Sequence, residues 1–284
     1  MSLRRRSAVA VLALVALVGW PPRAHAGDVW DSWASIFADF FMGPETKEEF
    51  RWHGAVSPGG TVEIKGVNGA VHAEPASGNE VELIALKRGR RNSPRDVQVK
   101  VVPHDGGVTI CAVYPTSGFG PPNECAPGRG GRMNVRNNDV SVDFTVRVPA
   151  GSSLVARTVN GGVQASGLRG RVEAHTVNGS VKLFTEGVAE ADTVNGSIDV
   201  EMGRTDWPDA ASFQTVNGSI TLALPAGTGA DVEAHTVNGD IQTDFPLQVT
   251  GRFSKRRLSG SIGGGGRKLS LATVNGAIHL TKAE

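Results

Sequence analysis

The stretch Ala174–Leu183, AHTVNGSVKL, returns along the chain with small edits. It recurs as ADTVNGSIDV from Ala191, FQTVNGSITL from Phe213, AHTVNGDIQT from Ala234 and LATVNGAIHL from Leu271. An upstream copy, ARTVNGGVQA, begins at Ala156, and a distant one, IKGVNGAVHA, at Ile64. With the asparagine as marker, Asn160, Asn178, Asn195, Asn217 and Asn238 are followed by a degenerate LSGSI copy carrying Ser259 in that place, and then by Asn275. The successive spacings are 18, 17, 22, 21, 21 and 16 residues. A period near 20 residues marks a repeat architecture in which one small unit stacks on the next.

Three and five residues after the marker stand apolar pairs such as Val181 and Leu183, Ile198 and Val200, Ile220 and Leu222. Between them lie Lys182, Asp199, Thr221, Gln242 and His279. Before the marker, apolar Ala174, Phe213 and Leu271 alternate with Arg157, His175, Asp192, Gln214 and His235 in the next column. Period two on both sides of a break describes two short strands with one face in the core. Asn-Gly is the break, since both residues tolerate positive φ and let the backbone turn sharply. Such a pair fits a two-residue hairpin or the corner of a coil. The copies match column by column, as expected of coils stacked in register about 4.8 Å apart. SGLRG at Ser166–Gly170 supplies a second corner. The expected fold is all-β, a right-handed parallel β-solenoid of coils about 16–22 residues long. A sheet or barrel of serial β-hairpins is the alternative.

The repeated motif is therefore architecture, with Asn160, Asn178, Asn195, Asn217, Asn238 and Asn275 as a turn ladder. The outward columns Arg157, His175, Lys182, Asp192, Asp199, Gln214, His235 and Gln242 form the candidate binding face. Stacking would make His175 and Asp192 neighbours in one column, with Lys182 and Asp199 in the next. That is the best available constellation for a polysaccharide lyase or hydrolase, which needs a positioned base or paired carboxylates. A solvated outer face accounts for the same residues. No G-x-S-x-G, Walker loop, H-E-x-x-H or calcium-binding nonapeptide occurs, so no catalytic residue, metal or cofactor is expected.

The first 26 residues read as an export signal: Arg4, Arg5 and Arg6, then apolar Ala8 to Trp20, then Ala24-His25-Ala26 as a small-x-small cleavage site. Removing it takes four arginines and moves the formal charge from +1 to −3. This balance gives no drive towards nucleic acid, and no later segment is long and apolar enough to span a membrane as a helix. A periplasmic, cell-surface or extracellular location follows. The only cysteines, Cys111 and Cys125, lie in that oxidising context and are expected to pair. Residues 27–46 contain DVWDSWASIFADFF, with aromatics at helical spacing. This is read as an amphipathic helix capping the stack, against the alternative of a membrane-surface or partner-binding helix. Residues 47–150 read as irregular coils with an excursion from Thr116 to Asn138, and 151–284 as the regular repeats of one domain spanning 47–284. KRGRR at Lys87–Arg91, with Arg95, is a candidate contact for anionic polysaccharide or phosphate, or a solvated loop. The last rung, ending AIHLTKAE, offers an edge for self-association through the end of the solenoid.

The serial TVNGSI units, VPAG at Val148–Gly151 and the preceding strand VSVDFTVRV resemble the bacterial putative-adhesin family of β-strand-repeat proteins, a domain of unknown function. The resemblance runs from about Phe50 to the C-terminus. It implies an extracytoplasmic β-solenoid acting as an adhesin or envelope scaffold, with a polysaccharide or a surface protein as partner.

Overall fold

A computed structural model of the protein describes residues 44–283, apart from 117, 119, 209 and 250–253. The expected export signal and the expected helix within 27–46 lie outside the described residues, which begin at Pro44. The first half holds β1 (Thr46–Ala55), β2 (Thr61–Lys65), β3 (Val71–Pro75), β4 (Glu80–Gly89), β5 (Gln98–His104), β6 (Gly107–Val113) and β7 (Ser141–Val148). Then come β8 (Ser153–Arg157), β9 (Val163–Leu168), β10 (Val172–His175), β11 (Val181–Thr185), β12 (Ala189–Asp192), β13 (Ile198–Met202), β14 (Ala210–Gln214) and β15 (Ile220–Leu224). The remainder is β16 (Ala230–Asn238), β17 (Ile241–Thr243), β18 (Gln248–Val249), β19 (Arg257–Ile262), β20 (Arg267–Asn275) and β21 (Ile278–Lys282).

These strands make two sheets. One runs β1-β4-β7-β3-β9-β11-β13-β15-β21-β17, the other β18-β19-β16-β20-β14-β12-β10-β8-β2-β6-β5. Each coil places the strand before its Asn-Gly in the second sheet and the strand after it in the first. Successive coils pair in parallel, as β8 with β10 and β9 with β11. The serial-hairpin alternative is thereby excluded for the repeats, because a hairpin would pair the two halves of one motif with each other. Alternate side chains point inward from both sheets, and Val172, Ala174, Val181 and Leu183 of one coil are all buried. Counting coils from Asn68, β12 of the fourth coil contributes only Ala189 and Ala191 to the core, and β14 of the fifth answers with Phe213, so strand volumes compensate along that sheet.

The corner has a different physical basis from the one its sequence suggests. Among the described residues the only non-glycine with positive φ is Asn137, so no ladder asparagine uses the left-handed region. The motif glycines from Gly161 onward avoid it as well. What the glycine supplies is room: a Cβ at Gly179 would lie 2.1 Å from the Gly161 carbonyl oxygen, and one at Gly218 would lie 2.0 Å from that of Gly196. The asparagine supplies a side-chain ladder. Asn160 Nδ2 donates to Asn68 Oδ1, and Asn178, Asn195, Asn217, Asn275 and Asn238 continue the chain, each bond 2.7–2.8 Å. The motif threonines are buried, and each hydroxyl donates to the glycine carbonyl of the adjoining coil, as Thr193 to Gly179 at 2.9 Å. A valine there would leave that carbonyl unpaired. The valine between them stays outside, 38–44% exposed at Val159, Val177, Val194, Val216, Val237 and Val274.

Space does not follow chain order at the C-terminal end. The coil β20–β21 lies between β14–β15 and β16–β17, so the ladder runs Asn217, Asn275, Asn238. The rung at the chain's end is therefore hydrogen-bonded on both sides and is not the open edge expected for self-association. LSGSI is no corner either: Arg257–Ile262 is a straight strand antiparallel to β16, with Ser259 opposite Glu233. Four glycines, Gly263–Gly266, all with positive φ, carry the chain from β19 to β20 on the far side of β16. At the other end, antiparallel β1, β4 and β7 extend one sheet, and β5 pairs antiparallel with β6 in the other.

Candidate functional site

The second sheet presents one outward column in the register Lys65, Arg157, His175, Asp192, Gln214. Ala272 of the intercalated coil then separates Gln214 from His235. Lys182, Asp199 and Gln242 stand on the other sheet, in the register Gln164, Lys182, Asp199, Thr221, His279, Gln242. The sequence-derived face is thus two faces, because each corner sends its flanking strands to different sheets. Lys182 and Asp199 are register neighbours, and no ion pair joins them among the described residues. The column two residues earlier, Glu63, Val155, Glu173, Glu190, was missed. Its signal was present: period two places the fifth residue before each asparagine on the same outer face as the third.

Together the two columns form an ionic cluster. His175 Nδ1 is 3.0 Å from Asp192 Oδ2, while its buried Nε2 lies 3.9 Å from Glu173 Oε2 and makes no hydrogen bond. Arg171 bridges Glu173 at 2.8 Å and Glu190 at 2.9 Å. Asp192, then Glu173, push the His175 imidazole up to about 9. His175 chiefly, with Arg171, holds the Glu173 carboxyl down at about 2. Burial raises Glu190. With its pKa raised to about 9, the His175 imidazole holds its proton at neutral pH and has no free lone pair there to act as a base.

The sign of the linkage follows from these shifts. The His175 contribution is complete below its unfolded value of 6.5 and is lost as pH rises through about 9. The Glu173 contribution is present above 4.5 and is lost as pH falls through about 2. His175→Gln should therefore lower the melting temperature at pH 6 and flatten its decline between pH 7 and 10, monitored by circular dichroism. An unchanged alkaline slope would show that the cluster is not coupled to folding.

The excursion after β6 is fastened to the same sheet. Cys111 and Cys125 are joined, with Cα atoms 5.8 Å apart. Lys65 Nζ donates to the carbonyls of Ala126, Gly128 and Gly130 at 2.6, 2.6 and 3.2 Å. Glu63 is thereby buried: its Oε2 accepts from the Gly128 amide and the Thr109 hydroxyl, both at 2.9 Å, and its Oε1 lies 3.5 Å from Arg157 Nε. Asn123, also buried, donates to the Tyr114 and Asn134 carbonyls and accepts from the Asn134 amide. Within KRGRR, Lys87 is buried against Glu48 and the Val97 carbonyl, and Arg88 pairs with Asp143. Those two cations are structural, whereas Arg91 and Arg95 are exposed.

Residues 130–281 match the family described as Toastrack DUF4097. Among solved structures, the chain is similar to a putative cell adhesion protein from Clostridium sporogenes, at 12% identity over 83% of this chain and 100% of that one, with a TM-score of 0.45. It is also similar to a putative adhesin from Bacteroides fragilis, at 15% identity over 84% and 98% of the two chains, with a TM-score of 0.38. No curated protein matches the chain.

Proposed function

The chain belongs to the Toastrack DUF4097 family, and from that premise we propose that it is an exported, non-catalytic scaffold presenting a fixed outer surface for attachment to envelope or extracellular material. Its signal would be residues 1–26, its cap 27–46 and its functional body 47–284, coiled with the right hand that parallel crossovers adopt. The observation that carries this reading is the state of the outer face: Arg171, Glu173, His175, Glu190 and Asp192 are joined in one ion-paired cluster on rungs locked by the asparagine ladder. Such a face holds its side chains in place at little conformational cost on binding.

The test is a screen of the purified protein against envelope and extracellular polysaccharides, scoring binding and product release together. Binding without release of oligosaccharide is expected. Release would overturn the reading in favour of a polysaccharide lyase or hydrolase, with His175→Ala and Asp192→Asn as the first variants to assay. Paired substitutions confined to one sheet, Arg157→Ala with His175→Ala against Lys182→Ala with Gln242→Ala, would show which face makes the contact.

A further inference from the structure

Two clefts adjoin where the disulfide-tied excursion leaves the stack. The larger, about 720 Å³, lies between the first corners and the excursion, and its polar walls include Lys65, Asn68, Arg129, Asn138, Arg157 and Asn160. The second, about 450 Å³, is walled by Arg91, Asn92, Asn137, Asn138 and Asp139. Asn137 and Asn138 wall both, and Asn137 alone among described non-glycine residues holds a left-handed backbone, φ 50°.

The larger cleft has three cations and no carboxylate side chain on its walls. Lys65 is occupied by its three carbonyls. Arg157 meets buried Glu63 through Nε alone, at 3.5 Å, which leaves the outer edge of its guanidinium unengaged among the described residues. Arg129 is exposed and meets no partner among the described residues. Beyond the shared asparagines, Asp139 accepts the main-chain amides of Arg90, Arg91 and Asn92 at 3.1, 2.9 and 2.9 Å. That carboxylate is filled from within, and it fixes the basic loop beside the cleft with the Arg91 side chain exposed. Asn68 begins the asparagine ladder: its Oδ1 accepts from Asn160, while its Nδ2 makes no hydrogen bond among the described residues. Val67, Met133, Val135 and Val159 supply aliphatic wall, and no aromatic ring is present.

Guanidinium forks recognise carboxylates in pairs of parallel bonds. Side-chain amides both donate to and accept from hydroxyls. Aliphatic wall suits the C–H faces of a sugar ring. Single-stranded nucleic acid, the other common polyanion, is gripped through base stacking on aromatic side chains, which these walls lack. We propose that the adjoining clefts form one groove for an acidic polysaccharide, a chain of uronate type whose carboxylates meet Arg91, Arg129 and Arg157 and whose hydroxyls meet Asn68, Asn137 and Asn138. This rests on the attachment reading above and specifies its ligand class.

The test titrates the purified protein with polygalacturonate at fixed ionic strength, with neutral pullulan and a single-stranded DNA of matched charge as comparators. Arg91→Glu combined with Arg129→Glu alters two exposed side chains that hold no fold contact, so melting should not change. The expected result is binding to polygalacturonate but not pullulan, weakened at least about tenfold in the double variant and less than about twofold in Lys255→Glu combined with Arg256→Glu, an equal change of charge at two exposed positions at the far end of the stack. Arg129→Ala, which adds no negative charge, should weaken binding in the same direction. Equal losses in the two double variants, or DNA binding as tight and as sensitive to the groove variant, would overturn the groove as a saccharide site. If polygalacturonate fails to bind while another polysaccharide in the panel does, the groove is wrong and attachment stands. If none binds, both fall.

Discussion

A chain truncated after Gly266 is expected to lose hydrogen-exchange protection throughout β16 and β19, not only the rung that has been removed. The missing segment, β20–β21, is an interior layer. Its Leu269, Leu271, Ile278 and Leu280 are buried, and at about 1.5–3 kcal/mol each their loss comes to about 6–12 kcal/mol, the size of a typical domain's whole stability. Truncation also strips the parallel partner from β14 and from β16 and removes the Lys268 carbonyl that accepts the Nε1 proton of fully buried Trp207 at 3.0 Å. The coils β8–β13 lie farther along the stack and touch none of this, so their protection should persist, since stacked repeats depend chiefly on nearest neighbours. Exchange measured by mass spectrometry distinguishes this from a stack in chain order, in which the sixth coil would pack directly on the fifth. Persistent protection of β16 would mean that the sixth coil can close the gap and pair with β14, and the interior role assigned to the last rung would then be wrong.

The regular part of the fold was legible because its signals are local. Period-two alternation around a recurring Asn-Gly fixed the strands and their inward faces, and column identity of Thr, Asn and Gly pointed to stacking in register. Stacking order was not legible, because every copy presents the same edge chemistry: Asn238 could follow Asn217 as readily as Asn275 does, and nothing within the motif distinguishes them. The visible clue lay outside the repeat, in Gly263–Gly266, a run that lets the chain cross from one side of β16 to the other. The candidate face was half legible. Arg157, His175 and Asp192 do form one column, but Glu63 and Glu173 beside them turn outward charges into half-buried members of a paired cluster. The excursion was recognised from its cysteines and its Gly/Pro content. That Lys65 and Glu63 anchor it, and that Arg129 and Arg91 come to adjoining clefts, depends on contacts between segments more than sixty residues apart in some pairs, which no periodicity encodes.

Glycine in the motif has a steric role that a single substitution should expose. At Gly196 a Cβ would lie 2.0 Å from the Gly179 oxygen, 2.5 Å from its carbonyl carbon and 2.9 Å from Ser180 N. All three are main-chain atoms of the next coil, so no side chain can swing aside. Relief requires the rungs to separate, which stretches the hydrogen bond from Asn195 Nδ2 to Asn178 Oδ1 and displaces the Thr193 hydroxyl from the Gly179 carbonyl. Gly196→Ala should therefore cost about 3 kcal/mol or more, the upper range of overpacking. Two other glycines separate the possible causes. Gly264 has φ +89° with nothing within 4 Å of its would-be Cβ, so alanine there meets only backbone strain, about 1–2 kcal/mol. Gly227 has open space and no left-handed φ, so alanine there should be neutral or stabilising by about 0.4–1 kcal/mol through the unfolded chain. Urea midpoints for the three variants should fall in the order Gly227→Ala, Gly264→Ala, Gly196→Ala. If Gly196→Ala unfolds within about 1 kcal/mol of Gly227→Ala, the coils are not held at the spacing that makes the corner, and the close approach of their backbones is not what selects glycine.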